Sequence, residues 1–509
     1  MTNSYNTTPK SWYIPQSWFN RGSKTEVSSG AEKPDESKKS KMQKYKNKTL
    51  STTVDTEGTW ITDYAWVCGV AGAVTIVACA AWFNVSGILN NGLNIFGWQL
   101  TTQRLDTILA ALFICTAVMV GIEAVRLWRR DRSGYFQLHP QLKSGHHLNF
   151  FAEALGNYLL YLGLLYLIIS FFHTAGEYGY NRNAAYYRGW FRFLDLLWQA
   201  YLWAGLPYVL ITRAVKNDPQ ADRRDLGYFF GKILRYFLAL TPIFKHQKPI
   251  FEEEDKKIAR GIVVKLFFTP LMTVFFVDQF PHLVSNVGYL FDGLVTAIHN
   301  NQYNHARFNR DFFNISIALI FSIDVALAWC GYVVSSRWVD NQTASAEPSM
   351  LGWVVCLICY PPFQMVLGIY YAAPGEREVL QFSNQWLISL FTTMMVASYI
   401  VYMASTLWFG VRFSNLTNRG IIRKGPFSFV RHPAYASKNF AWWCVMFPAI
   451  IYNATHTGVT IAVMQTLGLV LMTWVYYMRA LTEERHLSAD PAYLDYCQQV
   501  KYRFIPKII

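Results

Sequence analysis

Charged side chains are scarce in this sequence. They make up 15% of its 509 residues, where a soluble globular protein carries roughly 25%, and the shortfall excludes an ordinary soluble domain. Acid is scarcer than base: 32 Asp and Glu stand against 46 Lys and Arg, for a net charge of +14. That excess does not point to nucleic acid, because the basic residues cluster in loops between apolar segments, as cytoplasmic retention signals do. Cysteine is sparse as well. Most of the eight (Cys68, Cys79, Cys115, Cys330, Cys356, Cys359, Cys444 and Cys497) fall inside apolar segments, so no disulfide scaffold is expected. Cys356 and Cys359 form a C-x-x-C, but no second pair and no histidine lies near them in sequence; they read as packing residues, not as a metal or redox site. The chain does not open on a short apolar stretch with a cleavage site, so no secretory signal is expected. No internal repeat is visible.

What is abundant is apolar length. Hydrophobic residues are 52% of the chain and gather in blocks of about twenty, the length that crosses a bilayer core. The 17% aromatic content suits wet–dry boundaries that need anchors. The pattern predicts an all-α integral membrane protein with about ten transmembrane helices, over roughly 63–84, 105–126, 152–173, 191–212, 260–279, 311–334, 351–371, 386–410, 439–453 and 458–480. The ninth is short and contains Pro448, so it reads as half of a tight hairpin.

Basic residues orient the set. Arg126, Arg129, Arg130, Arg132 and Lys143 follow the second span, Lys216, Arg223, Arg224, Lys232, Arg235, Lys245 and Lys248 the fourth, and Arg412, Arg419, Arg423, Lys424 and Arg431 the eighth. Ten spans put these loops on one side with both termini, which the positive-inside rule makes cytoplasmic; Arg182 and Arg188 on the opposite side run against it. The membrane is a bacterial inner membrane or the endoplasmic reticulum. Residues 1–60, with ten basic and six acidic side chains and no periodicity, read as a disordered tail whose lysines approach anionic headgroups. Residues 61–410 form the multi-span region and 411–509 a C-terminal membrane unit. Leu226–Phe237 reads as an amphipathic helix in the interface, and 280–308 as a surface helix or partial re-entry. Glu123, near a span end, is expected at the interface. Asp324, nearer a span centre, is expected to face the bundle and pair internally, and Pro361-Pro362 to break its helix.

Three polar blocks lie against the last spans. In Gly425-Pro426-Phe427-Ser428-Phe429-Val430-Arg431-His432-Pro433-Ala434-Tyr435, proline disfavours α conformation in the residue before it and suits the first helical position. His432 should therefore cap, and Pro433 open, the ninth span, leaving free N–H groups that attract an anion. Gly425-Pro426 makes a turn where a ligand can approach backbone. The plainer reading is a snorkelling Arg431, a capping His432 and an interfacial Tyr435. In the second block, Arg479-Ala480-Leu481-Thr482-Glu483-Glu484, Arg479 and Glu483 share a helix face and Glu484 sits about 100° round. They are either a surface pair, or carboxylates for ribose hydroxyls or a ligand ammonium. The third block runs from Tyr493 to Pro506.

The order and spacing of these blocks resemble the isoprenylcysteine carboxyl methyltransferase and phospholipid methyltransferase family, over about residues 415–509. The resemblance implies an S-adenosylmethionine pocket lined by Gly425, Arg431, His432, Pro433, Tyr435, Glu483 and Glu484, with Arg479 and Glu484 as the catalytic pair, acting by orientation more than proton transfer. It implies no metal, a closing segment packed over the cofactor, and a lipophilic acceptor that reaches the site from the membrane. Phe427 stands where the family usually has Tyr, Ser437 where Gly is common, and Lys438-Asn439 where apolar residues are usual. Lys438 can snorkel, pair with Glu484, or alter substrate choice. Two other readings stay open. One is a sterol-reductase-like NADPH enzyme, although that group more often shows Arg-His-x-Asn-Tyr and an Arg-Asp pair. The other is a transporter carrying a relic C-terminal unit.

Overall fold

The computed structural model describes residues 60–130, 136, 138–179, 185–215, 226–240, 248–364 and 383–508. The tail read over 1–60 lies outside them but for Trp60, as do Arg132, Arg182, Lys216, Arg223, Arg224 and Lys245.

The chain is an all-α membrane protein. Among the described residues, eight helical segments are long and apolar enough to cross a bilayer. They are built on α1 (Ala65–Val85), α2 (Arg104–Arg130), α3 (His147–Thr174), α4 (Ala185–Ala214), α6 (Glu253–Gly288), α7 (His305–Val333), α9 (Gln385–Phe409) and α11 (Val459–Leu487). Between α4 and α6 lies α5 (Leu226–Leu238), which exposes Tyr228, Leu234 and Phe237 and is anchored by Lys232 Nζ on Asp255 at 2.5 Å.

Three elements differ from expectation. The seventh predicted span is a helix only over α8 (Met350–Leu357); turns follow to Gln364, and 365–371 lie outside the described residues. Pro361 and Pro362 supply no N–H to continue the helix. The segment 280–308 is no separate surface helix. α6 runs through Pro281 and a π turn at Tyr289–Gly293 into Leu294–His299, because membrane helices tolerate proline where neighbours satisfy the freed carbonyls. The ninth predicted span, α10 (Pro433–His456), is longer than expected at 24 residues, with Pro448 inside it; it packs on the next helix and is not among the segments apolar enough to cross.

α6, α7 and α1 pack together, α9 packs on α7, α1 and α10, and α10 on α11. α3 and α4 pair with each other, and little of α3 is buried within the protein. Glu123 is not exposed as expected. It is fully buried, because Arg412, 289 residues away at the end of α9, reaches it at 2.7 Å while Arg126 binds it from the next helical turn. Asp324 does pair internally, accepting from Tyr402 Oη at 2.9 Å and Thr406 Oγ1 at 2.5 Å.

Three clamps build the floor under the C-terminal unit. Asp63, just before α1, holds Arg423 at 2.8 Å, whose guanidinium also lies 4.2 Å from the Trp60 ring centroid. Ser345–Ala346 pairs antiparallel with Thr417–Asn418. Arg419, read from sequence as a topology charge, is buried and donates to the Gly331 carbonyl at the end of α7.

Candidate active site

The Arg-His-Pro turn folds as its residue types require. His432 has φ −126° and ψ 58° and caps α10, with Pro433 in its first turn. Arg431 N–H donates to the Tyr502 carbonyl and His432 N–H to the Arg503 carbonyl, both at 2.9 Å, so the last residues of the chain lie along this turn. α12 (Pro491–Gln499) turns the chain back to reach it. Tyr496 Oη fastens α12 by donating to the Phe427 carbonyl at 2.7 Å.

A polar cleft opens between this turn, the ends of α9 and α11, and the loop before α8. Arg431, His432, Tyr435, Arg479 and Glu483 all line it. The Tyr435 ring stacks on His432 with centroids 5.4 Å apart and planes within 4°, and its hydroxyl donates to Glu483. Arg479 is buried. Its guanidinium carbon lies 4.9 Å from the Tyr435 centroid and 5.7 Å from those of Tyr360 and Tyr476, and it donates to Asn415. Asn415 in turn donates to Tyr332 Oη at 2.7 Å and Tyr360 Oη at 3.1 Å, which locks the acceptor that orients Arg479.

Three candidate residues are placed elsewhere. Glu484 does not line the cleft. It sits behind, accepting from His432 Nε2 at 3.2 Å and Arg503 Nε at 3.0 Å, with Arg431 Nε at 3.3 Å. Helical geometry is the reason: Glu483 follows Arg479 by four residues and shares its face, which turns Glu484 about 100° away. Gly425 is a turn with φ +64°, but a Cβ there would meet the Trp408 indole at 2.1 Å; the close approach that glycine permits is to protein. Pro433 lines a second, apolar cavity.

That second cavity has a volume of about 610 Å³ and runs between α9, α10, α11 and the closing segment, under Phe429, Phe440, Phe504 and Ile505. Tyr435 and Tyr476 line both cavities. The carboxamide oxygen of Asn439, on the apolar wall, is buried and has no hydrogen-bond partner among the described residues. The polar cleft is tighter, with a free volume of about 100 Å³, so a nucleoside-sized ligand must displace lining side chains such as Phe409 or Phe427.

Sequence reasoning missed the opposite wall. Glu347 lines the cleft from the loop before α8. It is buried and accepts from Ser349 N at 2.9 Å and Arg485 Nη2 at 3.2 Å. His486 binds Ser345 Oγ at 2.9 Å on the same wall. Arg485 is 138 positions from Glu347 and His486 is 141 from Ser345, and no local pattern marks Glu347. Its signal is only that a lone acid stands among neutral residues just before an apolar run. Burial, with the Glu484 charge adding to it, holds the Tyr493 phenol well above its ordinary range, and burial does the same for Tyr496. Both stay neutral and act as packing groups under the turn.

Residues 386–489 match the model of the isoprenylcysteine carboxyl methyltransferase (ICMT) family. The match covers about a fifth of the chain. It begins with α9, earlier than the polar motifs alone suggest, and stops before α12. No curated protein and no solved structure matches the chain.

Proposed function

We propose that the protein is an integral-membrane methyltransferase that takes its methyl group from S-adenosylmethionine and places it on a lipophilic acceptor, a prenylcysteine carboxylate or a lipid amine. One observation carries the reading. A polar cleft and an apolar cavity of about 610 Å³ meet at Tyr435 and Tyr476, both inside the family-matched segment, and that volume is in the range of small-molecule sites, roughly 300–1,000 Å³. A water-soluble donor and a membrane-soluble acceptor need such a junction.

The donor set fits the cofactor. Glu347 and Glu483 offer carboxylates for ribose hydroxyls or an ammonium, and Arg431 and Arg479 offer guanidinium groups for a carboxylate. When bound, the cofactor supplies an activated methyl on sulfonium, whose transfer is an in-line displacement that positioning alone accelerates strongly. The residues then orient and exclude water. Arg479 is held flat by three tyrosine faces and Asn415. Tyr435 separates the polar from the apolar side and is steadied by Glu483. Glu484 acts at one remove, fixing Arg431, His432 and Arg503. A carboxylate acceptor needs no base, whereas an amine acceptor must lose a proton, for which Glu483 is the carboxylate at the Tyr435 junction.

Calorimetric titration of the detergent-purified protein with S-adenosylhomocysteine, with NADPH in parallel, tests the reading. Micromolar binding of S-adenosylhomocysteine alone is expected. Binding of NADPH alone would move the protein to the reductases, and silence from both would favour the transport reading.

A further inference from the structure

Lys438 is the residue of the C-terminal unit whose chemistry the proposed reaction does not use. It follows Tyr435 by three positions on α10, so it lies one turn deeper on the same helix face, and it lines the polar cleft. Its ammonium stands 5.3 Å from the centroid of Tyr402 and 5.7 Å from that of Trp442. Among the described residues no carboxylate lies within 4 Å of it. The nearby acids are engaged elsewhere. Glu484 holds His432, Arg431 and Arg503; Glu347 holds Arg485; Glu483 accepts from Tyr435. Asp324 accepts from Tyr402 on one oxygen and Thr406 on the other. Arg479, on the facing helix, is likewise surrounded by tyrosine rings and Asn415. The deep end of the cleft thus presents two cations with no carboxylate in contact with Lys438; Asp324, whose charge acts on Lys438, is bonded by hydroxyls alone, and Glu483 is taken by the Tyr435 hydroxyl.

We infer that Lys438 is a specificity-determining residue that receives an anionic group, carboxylate or phosphate, on the head of the lipophilic acceptor, and that it discriminates against ammonium heads. The inference rests on the acceptor reading given above. An anion lodged there is desolvated beside Lys438 and Arg479, where charge-assisted bonds are strong. An ammonium in the same place meets two like charges in a low-dielectric site. Tyr402 orients the lysine: its hydroxyl is tied to Asp324, which fixes the ring whose face the ammonium covers. The apolar cavity across Tyr435 takes the chain of the same molecule.

The test uses the full-length protein in detergent and three probes with one farnesyl chain: a farnesyl carboxylate, farnesyl phosphate and farnesylamine. Binding of each is measured calorimetrically to wild type, Lys438→Met and Lys438→Arg, with S-adenosylhomocysteine titrated into the same samples. Wild type is expected to bind at least one of the anionic probes tenfold or more tightly than the amine. Lys438→Met should reduce that preference to threefold or less, and Lys438→Arg should keep most of it. Preference for one anion over the other identifies the head as carboxylate or phosphate. Equal binding of anions and amine by wild type, or an unchanged preference in Lys438→Met, overturns the inference. So does a parallel loss of S-adenosylhomocysteine and all three probes in Lys438→Met, because that marks Lys438 as a structural counter-charge. If wild type ignores S-adenosylhomocysteine yet shows the Lys438-dependent anion preference, the cofactor reading fails and the anion site stands.

Discussion

Glu484→Gln is the most informative single change, because its effect can be worked from the geometry. Arg503 Nε lies 3.1 and 3.0 Å from the two carboxylate oxygens, and Arg431 Nε 3.3 Å from one of them. An amide of the same shape removes the carboxylate charge and puts an NH2 where one oxygen accepted, at a loss of about 1 kcal/mol per contact. Only the Arg503 contacts break when the chain end opens, and Arg503 is 34% exposed, so its share is screened and comes to about 1 kcal/mol. At 1.4 kcal/mol per tenfold, that is roughly a fivefold increase in local opening of the closing segment. Trypsin reads it directly. Cleavage after Arg503 requires its guanidinium to leave Glu484, and when opening is fast the rate follows the open population. The peptide released after Arg503, followed by mass spectrometry, should therefore appear about fivefold faster in the variant, and S-adenosylhomocysteine binding should weaken with it. Cleavage at the wild-type rate would refute the idea that Glu484 holds the chain end against the Arg-His-Pro turn.

Two further outcomes are expected. Arg479→Lys keeps the charge but loses the planar group that covers Tyr435 and reaches Asn415; methyl transfer should fall at least tenfold with expression unchanged, and full activity in a radiolabelled transfer assay would remove Arg479 from the site. Arg412→Met leaves the buried Glu123 with Arg126 as its remaining cation, which should cost about 3 kcal/mol, the low end for a broken buried pair. Adding Glu123→Gln should recover most of that, as read by thermal denaturation in detergent, and a double variant no more stable than the single would show that the pair is not the cause.

The resemblance could be seen at all because its polar motifs are local. Pro433 after His432 sets a cap and a helix start through backbone sterics alone, and the four-residue interval from Arg479 to Glu483 puts both on one helix face wherever the helix goes. The same interval argument places Glu484 on a different face from Glu483, a consequence that becomes meaningful only when His432 and Arg503 arrive on that side. Lys438 left three options open in the sequence. Pairing with Glu484 falls away in the structure, because Glu484 is already saturated by other partners.

The sequence by itself determined that this is a membrane protein of many helices, since apolar runs of span length have no stable alternative, and it marked the C-terminal turn and helix end as the polar place to look. Only the tertiary structure decided which polar groups line the cleft. Glu347 and Asn415 reach the cleft through contacts dozens of residues or more apart, Glu123 is buried by an arginine 289 positions away, and α8 stops where a full span was expected. Local patterns are written by backbone sterics and periodicity, which act over a few residues. Partnership between charges depends on which helices become neighbours, and that is settled by packing across the whole bundle.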